Sequence, residues 1–259
     1  MEYRNKNVLL TGAAHGIGKA FANYFSSKGA NLILIDIDGD NLKTVADSLV
    51  VNKHKPITLV KDLSENDERG AIFHYLDRNK IEIDILVNNV GIGYCSLFHE
   101  TSWEQLEKII DVNVKGSTHL VWKLLPKMIK KDEGIIINVS STGAFCGANR
   151  SAVYTGSKAY VTNFTEALDM ELMGTNVQTL SAHPGATDTN FWESAGTTKM
   201  AFYKTVKMMS PEKTVAEFMT ALENGKSFAI AGWKNRLMVF LSKYVPREIL
   251  KKMAIEKYK

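Results

Sequence analysis

The chain has 259 residues but only two cysteines, Cys95 and Cys146, with no C-x-x-C pair and no metal-ligand spacing. That excludes a disulfide scaffold and a cysteine-based metal centre, and it points to a reducing compartment. No stretch approaches the roughly 18 consecutive apolar residues that a spanning helix needs. The opening MEYRNKNVLLTG lacks the basic, apolar and small-residue order of a signal peptide, so a soluble cytoplasmic protein is expected. Linkers and low-complexity stretches are also missing. What remains is ordinary globular composition, 45% hydrophobic and 23% charged, in a chain long enough for a sizeable core.

Charge is unevenly spread. Lys199 to Lys259 holds 13 basic and 5 acidic residues, a net of +8, which leaves 19 basic against 23 acidic residues, a net of −4, over residues 1–198. A basic end suits an anionic surface or is simply a solvated face; no nucleic-acid recognition motif accompanies it, so no nucleic-acid partner is expected.

Short apolar runs alternate with helical patterns. Strands are expected at Val8–Thr11, Leu32–Ile37, Ile57–Val60, Ile83–Asn88, Ile135–Val139, Val177–Ala182 and Phe228–Ala231. Helices are expected after the first turn, at Asn41–Leu49, Glu65–Asp77, Ser102–Lys130, Ser151–Met173 and Pro211–Asn224. Continuously apolar strands separated by helices mean a parallel sheet covered on both faces. The expected fold is therefore α/β, a single-domain Rossmann-type doubly wound parallel sheet of about seven strands with helices on both faces. A closed eight-stranded barrel is the rival, and the tail supplies no clear eighth strand and helix pair for it. Residues 1–232 are expected to form the dinucleotide-binding and catalytic domain, with 233–259 as a basic amphipathic extension of it.

The first turn reads Thr11-Gly12-Ala13-Ala14-His15-Gly16-Ile17-Gly18. Gly12 permits a tight turn, Gly16 lets the backbone approach a pyrophosphate, and Gly18 allows close helix packing, while the helix N-terminus offers amide donors. A plain strand-to-helix turn uses glycine too, so context matters. Asp36 closes the second strand, 18 residues past Gly18, where a carboxylate can accept hydrogen bonds from the adenosine ribose. The same charge repels a 2′-phosphate, which argues for NAD over NADP, and His15 is the one nearby residue that could soften the preference.

Tyr154 and Lys158 stand at i and i+4 on one helix face, just after a strand that ends in Asn138-Val139-Ser140-Ser141. Hydroxyl, phenol and amine converging on the carboxyl edge of a parallel sheet describe an acid/base site. A phenol with an ordinary pKa near 10 needs about 4 kcal/mol of help to exchange protons at neutral pH. One cation about 4 Å away at an effective dielectric near 20 supplies about that much. No metal-binding cluster is expected.

Taken together, TGAAHGIG (11–18), Asp62, NNVG (88–91), Asn113 in DVNVKG, Ser140-Ser141, YTGSK (154–158) and PGATDT (184–189) resemble the short-chain dehydrogenase/reductase family in its compact single-domain branch. The resemblance spans about residues 5–232. It implies that Tyr154 moves the substrate proton, that Lys158 holds the ribose hydroxyls and lowers the phenol pKa, and that Ser141, 13 residues before Tyr154, binds the carbonyl oxygen. Asn113 would anchor a relay water. Gly12, His15, Gly16, Ile17 and Gly18 would meet the cofactor, as would Asp36. Asp62 and Leu63 would border the adenine, with Asn89, Val90 and Gly91 on the adenosine side, and Thr187 and Thr189 would hold the nicotinamide carboxamide. Valine in NNVG and Thr187 in PGATDT depart mildly from the usual pattern. The family also implies a homodimer or homotetramer, formed through the helices that hold Asn113 and Tyr154.

The reaction expected is hydride transfer between NAD and a secondary alcohol or ketone. The family places a lid at about 190–210, where Phe191, Trp192, Met200, Phe202, Tyr203, Met208 and Met209 favour an apolar, lipid-, steroid- or acyl-like substrate. Tyr94, Leu97 and Phe98 could extend that pocket. The tail from Gly232 mixes large apolar residues with six Lys and two Arg; it either packs on the body or a partner subunit or lies on an anionic membrane surface as a peripheral contact. The competing readings are an NADP-dependent carbonyl reductase and a non-catalytic dinucleotide-sensing or scaffold protein. The second is disfavoured because Asn113, Ser141, Tyr154 and Lys158 are all present.

Overall fold

The computed structural model describes residues 2–49, 55–198, 203 and 206–257. Seven strands appear where the apolar runs place them: β1 (Asn7–Thr11), β2 (Asn31–Asp36), β3 (Ile57–Val60), β4 (Ile85–Asn88), β5 (Gly134–Val139), β6 (Val177–His183) and β7 (Phe228–Ile230). They form one sheet in the order β3-β2-β1-β4-β5-β6-β7, and every pairing is parallel. The connecting helices are α1 (Gly16–Ser27), α2 (Gly39–Ser48), α3 (Asn66–Arg78), α4 (Trp103–Ile110), α5 (Ser117–Lys131), α6 (Ala152–Glu171) and the short α7 (Phe191–Ser194). The helix Pro211–Glu223 leads into β7, and two further helices, Trp233–Ser242 and Arg247–Lys257, follow it.

The central strands β1, β2, β4 and β5 are mostly apolar because both faces of the sheet are buried there, and successive side chains serve opposite cores. Val8, Leu10, Leu32, Leu34, Ile85, Val87 and Ile137 point into one core, with Phe21 and Phe25 of α1 and Phe218 of the helix Pro211–Glu223. Leu9, Ile33, Ile35, Leu86 and Ile136 point into the other, with Ile72 and Leu76 of α3, Leu120 and Leu124 of α5 and Leu168 of α6. Strand order reverses between β1 and β4, so a crevice opens there at the carboxyl ends of the strands.

The stretch expected as one helix from Ser102 to Lys130 is divided. A π-helical turn at Asp111–Gly116 separates α4 from α5. Such wide turns reorient one side chain at modest cost in backbone bonding and recur at functional sites. Asn113 lies buried within this turn.

Candidate active site

The crevice at the switch point is fastened by side chains that the sequence places there without showing their job. Thr11 Oγ1 accepts hydrogen bonds from the backbone N–H groups of Asn89 and Val90, each at 3.1 Å. Asn89 Nδ2 donates to the carbonyls of Thr11 and Gly12, each at 3.0 Å. The Asn89 side chain thus pins the glycine turn to the end of β4 instead of facing the crevice. Gly12 (φ 66°) and Gly16 (φ 47°) occupy the left-handed region, which any side chain would strain. A Cβ on Gly18 would run into the Gly12 carbonyl, as close helix packing requires. His15 is the N-cap of α1 yet makes no side-chain cap, and the first turn of the helix has no acid. Its opening amides therefore face the crevice as anion donors.

At the end of β2, Asp36 accepts from the Ala14 N–H at 2.9 Å and from the Asp38 N–H at 3.0 Å. The His15 ring is drawn to Asp38 at 2.9 Å. Hydrogen bonds from the side chain and backbone of Asn41, joined by His15, hold the Asp38 carboxyl down at about 2. Two carboxylates therefore border this corner, and the one nearby histidine is already engaged by the second. Asp62 takes hydrogen bonds from Ser64 and from Lys108 (3.2 Å). The buried Arg69 holds the carbonyls of Leu63 and Ser64, so it sets the shape of this wall. Neither Lys108 nor Arg69 was signalled by a motif.

The acid/base group gathers one step further along the edge. Lys158 is 4% exposed, and its ammonium donates to the Val139 carbonyl at 2.9 Å. Burial pulls its pKa down to about 8. A Cβ on Gly91 would stand 2.7 Å from Lys158 Nζ and 3.5 Å from Asn113 Oδ1, so Gly91 is the gap through which the ammonium passes. Gly93 does the same for Tyr154, whose ring would be 2.9 Å from a Cβ there. The sequence flagged Gly91 for the cofactor alone and did not flag Gly93.

Asn113 pairs with Ile92 in both directions: its Oδ1 accepts from the Ile92 N–H and its Nδ2 donates to the Ile92 carbonyl, each at 2.9 Å. Nδ2 also donates to Ser157 Oγ at 2.9 Å. These bonds use both Nδ2 hydrogens and one Oδ1 lone pair, so the side chain clamps the Gly91–Gly93 segment against α6. The two serines after β5 diverge. Ser140 is buried and bonded to the Lys158 carbonyl and Thr162. Ser141 Oγ accepts from the Gly143 N–H at 3.0 Å and borders the same space as the Tyr154 ring.

After β6, Thr187 is buried and pairs with Met209 as an isolated parallel bridge. Its carbonyl accepts from Trp192 Nε1 at 2.7 Å. Thr189 packs directly on Gly16, so the two ends of the crevice meet. Of the expected lid, Phe191 lies tilted against Tyr154 with ring centroids 5.3 Å apart, and Trp192 meets Tyr203. Met209 packs against the core instead, and Met200 and Phe202 lie outside the described residues. Beside Tyr154 lies a shallow open pocket with room for about one water molecule, lined mainly by Tyr94, Phe98, Leu106, Ile109 and Val153 with one cation, Arg150. Leu97 is not among its lining residues.

His183, fully buried at the end of β6, lies between Phe145 and Phe228. Nδ1 faces the Ala229 carbonyl at 3.1 Å and so carries the proton, while Nε2 faces the hydroxyls of Thr162 and Ser181. Burial drops its pKa to about 4. The unfolded chain, with an ordinary histidine near 6.5, binds the proton more readily between those values, so stability should fall with pH across that window, by up to about 3 kcal/mol. Urea denaturation from pH 7 to pH 4 should show this slope, and His183→Asn should be less stable at pH 7 but flatter. An unchanged slope in the variant would assign the effect to other groups.

Among the described residues no group of three or more His, Cys, Asp or Glu could hold a metal ion, and no helix is long and apolar enough to cross a membrane. The short chain dehydrogenase family model matches residues 6–200. An uncharacterized oxidoreductase of Staphylococcus saprophyticus is 33% identical over 190 residues, covering 73% of this chain and 81% of that protein. Among solved structures, a short-chain dehydrogenase from Sphingobium yanoikuyae in complex with NADPH superposes with a TM-score of 0.80 at 26% identity over 88% of each chain. A 3-ketoacyl-(acyl-carrier-protein) reductase from Brucella melitensis complexed with NADH superposes with a TM-score of 0.77 at 26% identity, covering 88% of this chain and 96% of that one.

This chain belongs to the short-chain dehydrogenase family.

Proposed function

We propose that the chain is a nicotinamide-dependent oxidoreductase that interconverts a secondary alcohol and a ketone, with Tyr154 as general acid and base. The observation that carries this reading is the buried Lys158 ammonium beside the tyrosine's helix face, held only by a carbonyl among the described residues. A buried cation without a carboxylate partner is costly to fold around, and such groups concentrate where chemistry uses them.

The crevice fits a dinucleotide. The uncapped N-terminus of α1 suits a pyrophosphate, and Asp36 suits ribose hydroxyls. Gly12, His15, Gly16, Ile17 and Gly18 would hold the phosphate side, Asp62, Leu63, Val90, Gly91 and the Asn89 backbone the adenosine side, and Thr187 with Thr189 the carboxamide. When bound, the nicotinamide ring supplies or accepts the hydride. Ser141 Oγ orients the substrate oxygen, Tyr154 gives or takes its proton, and Lys158 favours the phenolate and holds ribose hydroxyls. Asn113 fixes the Gly91–Gly93 segment and would anchor the relay water to Lys158, since one Oδ1 lone pair remains after the bond from Ile92.

NAD is the preferred cofactor in this reading, because Asp36 and Asp38 together oppose a 2′-phosphate and His15 is engaged by Asp38. One charge about 5 Å away at an effective dielectric near 20 is worth roughly 3 kcal/mol, less with screening. Asp36→Ala should therefore raise NADPH affinity relative to NADH by about tenfold or more. Fluorescence titration with each reduced cofactor measures the ratio, and an unchanged ratio removes the argument. The apolar side chains around Tyr154, among them Tyr94, Phe98, Val153 and Phe191, support an apolar substrate, and Arg150 beside them suits one with a polar or anionic end. Exposed Trp122 and Met170 on α5 and α6 support a homo-oligomer joined through those helices.

A further inference from the structure

The helix Trp233–Ser242 is inside out. Residues advance by about 100° around a helix axis, so Asn235, Val239 and Ser242 share one face, and Trp233, Leu237, Phe240 and Leu241 share the other. The first face meets the body: Val239 is buried, and Asn235 lies against Gly185 while donating to the Ala231 carbonyl. The second face is open to solvent. Trp233 is 64% exposed, Leu237 47%, Phe240 56% and Leu241 48%, and Tyr244 in the next turn lies tilted against Phe240 and is 72% exposed. A surface helix ordinarily turns such a stripe inward, and a contiguous apolar strip left outside marks a contact.

Charge decides what covers it. Arg236 is paired with Glu217 and Lys251 with Glu248, but Lys234, Lys243, Arg247 and Lys252 have no acidic partner among the described residues. Lys234 lies over the Trp233 ring and Lys243 caps the same helix, while Arg247 and Lys252 follow on the next one, and all four belong to the segment that carries +8. The same face of a second copy would bring like charges together. Anionic lipid headgroups would neutralise them while the aromatic and aliphatic side chains enter the acyl boundary. We propose that the helix Trp233–Ser242 and the basic turn after it form a dock for an anionic membrane surface. The helix packs on the Thr142–Phe145 turn that follows Ser141, so the dock lies on the catalytic side of the sheet. It does not depend on the catalytic reading, because it rests on a surface that touches no proposed catalytic side chain.

The test is flotation of the full chain with vesicles of phosphatidylcholine alone and with about 30% phosphatidylglycerol added. Binding to the anionic vesicles only, weakened by salt, is expected. Leu237→Asp combined with Phe240→Asp should reduce it by about tenfold or more, with only a small fall in melting temperature because both side chains are about half exposed. Lys243→Glu combined with Lys252→Glu should lower both affinity and salt dependence, and this pair serves if the first variant folds poorly. No flotation of the wild-type chain, or equal flotation of every variant, overturns the proposal. So does light scattering in which the aspartate variant loses an oligomer while the wild-type chain ignores vesicles, since the stripe then binds a second copy.

Discussion

Tyr154→Phe is expected to lower turnover by about a hundredfold to ten-thousandfold while leaving cofactor affinity within about twofold, because positioned general acid/base groups contribute on that scale. The substitution removes only the phenol oxygen. The ring keeps its seat against Gly93 and its contact with Phe191, so the fold has no reason to shift. Lys158 keeps its bond to the Val139 carbonyl and remains available to a ribose. Steady-state rates with a secondary alcohol, set beside a cofactor titration, separate the two effects. Retained turnover would remove Tyr154 from the chemistry, and lost cofactor binding would give it a structural role instead.

The strands were legible because the central ones, buried on both faces, read as short, nearly continuous apolar runs, a pattern that survives without knowledge of partners. Gly12, Gly16 and Gly18 were legible for a related reason: left-handed backbone and close packing leave glycine as the only comfortable choice. Motif spacing likewise brought Asp36, Ser141, Tyr154 and Lys158 to the carboxyl edge of the sheet. What stayed hidden was long-range pairing. Nothing local to Asn113 says that a π-helical turn will aim its amide at Ile92, 21 residues away. Nothing around Gly93 says that a ring from α6 will lie on it. The direction of the apolar stripe on the helix Trp233–Ser242 was equally hidden, since periodicity fixes which residues share a face but not which face meets the body.

Lys158→Met should abolish most turnover and yet make the protein more stable. In the folded chain burial holds the ammonium pKa at about 8, whereas an unfolded lysine titrates near 10.4, so keeping the charge at pH 7 costs roughly 3 kcal/mol. The sign is that of a buried base: the penalty is present in full below pH 8 and fades as pH rises towards 10.4, where both states lose the proton. Methionine fills a similar volume without the charge, but it leaves the Val139 carbonyl without its donor, at about 1 kcal/mol. A net gain of about 1–2 kcal/mol remains, which for a chain of this size raises the melting temperature by roughly 2–8 °C at pH 7. Thermal melts of both proteins without cofactor at pH 7 and pH 10 test this, and the advantage should shrink at the higher pH. A variant that is less stable than wild type at pH 7 would mean that the ammonium is satisfied where it sits, and the claim that Lys158 is kept for chemistry at the expense of stability would fall.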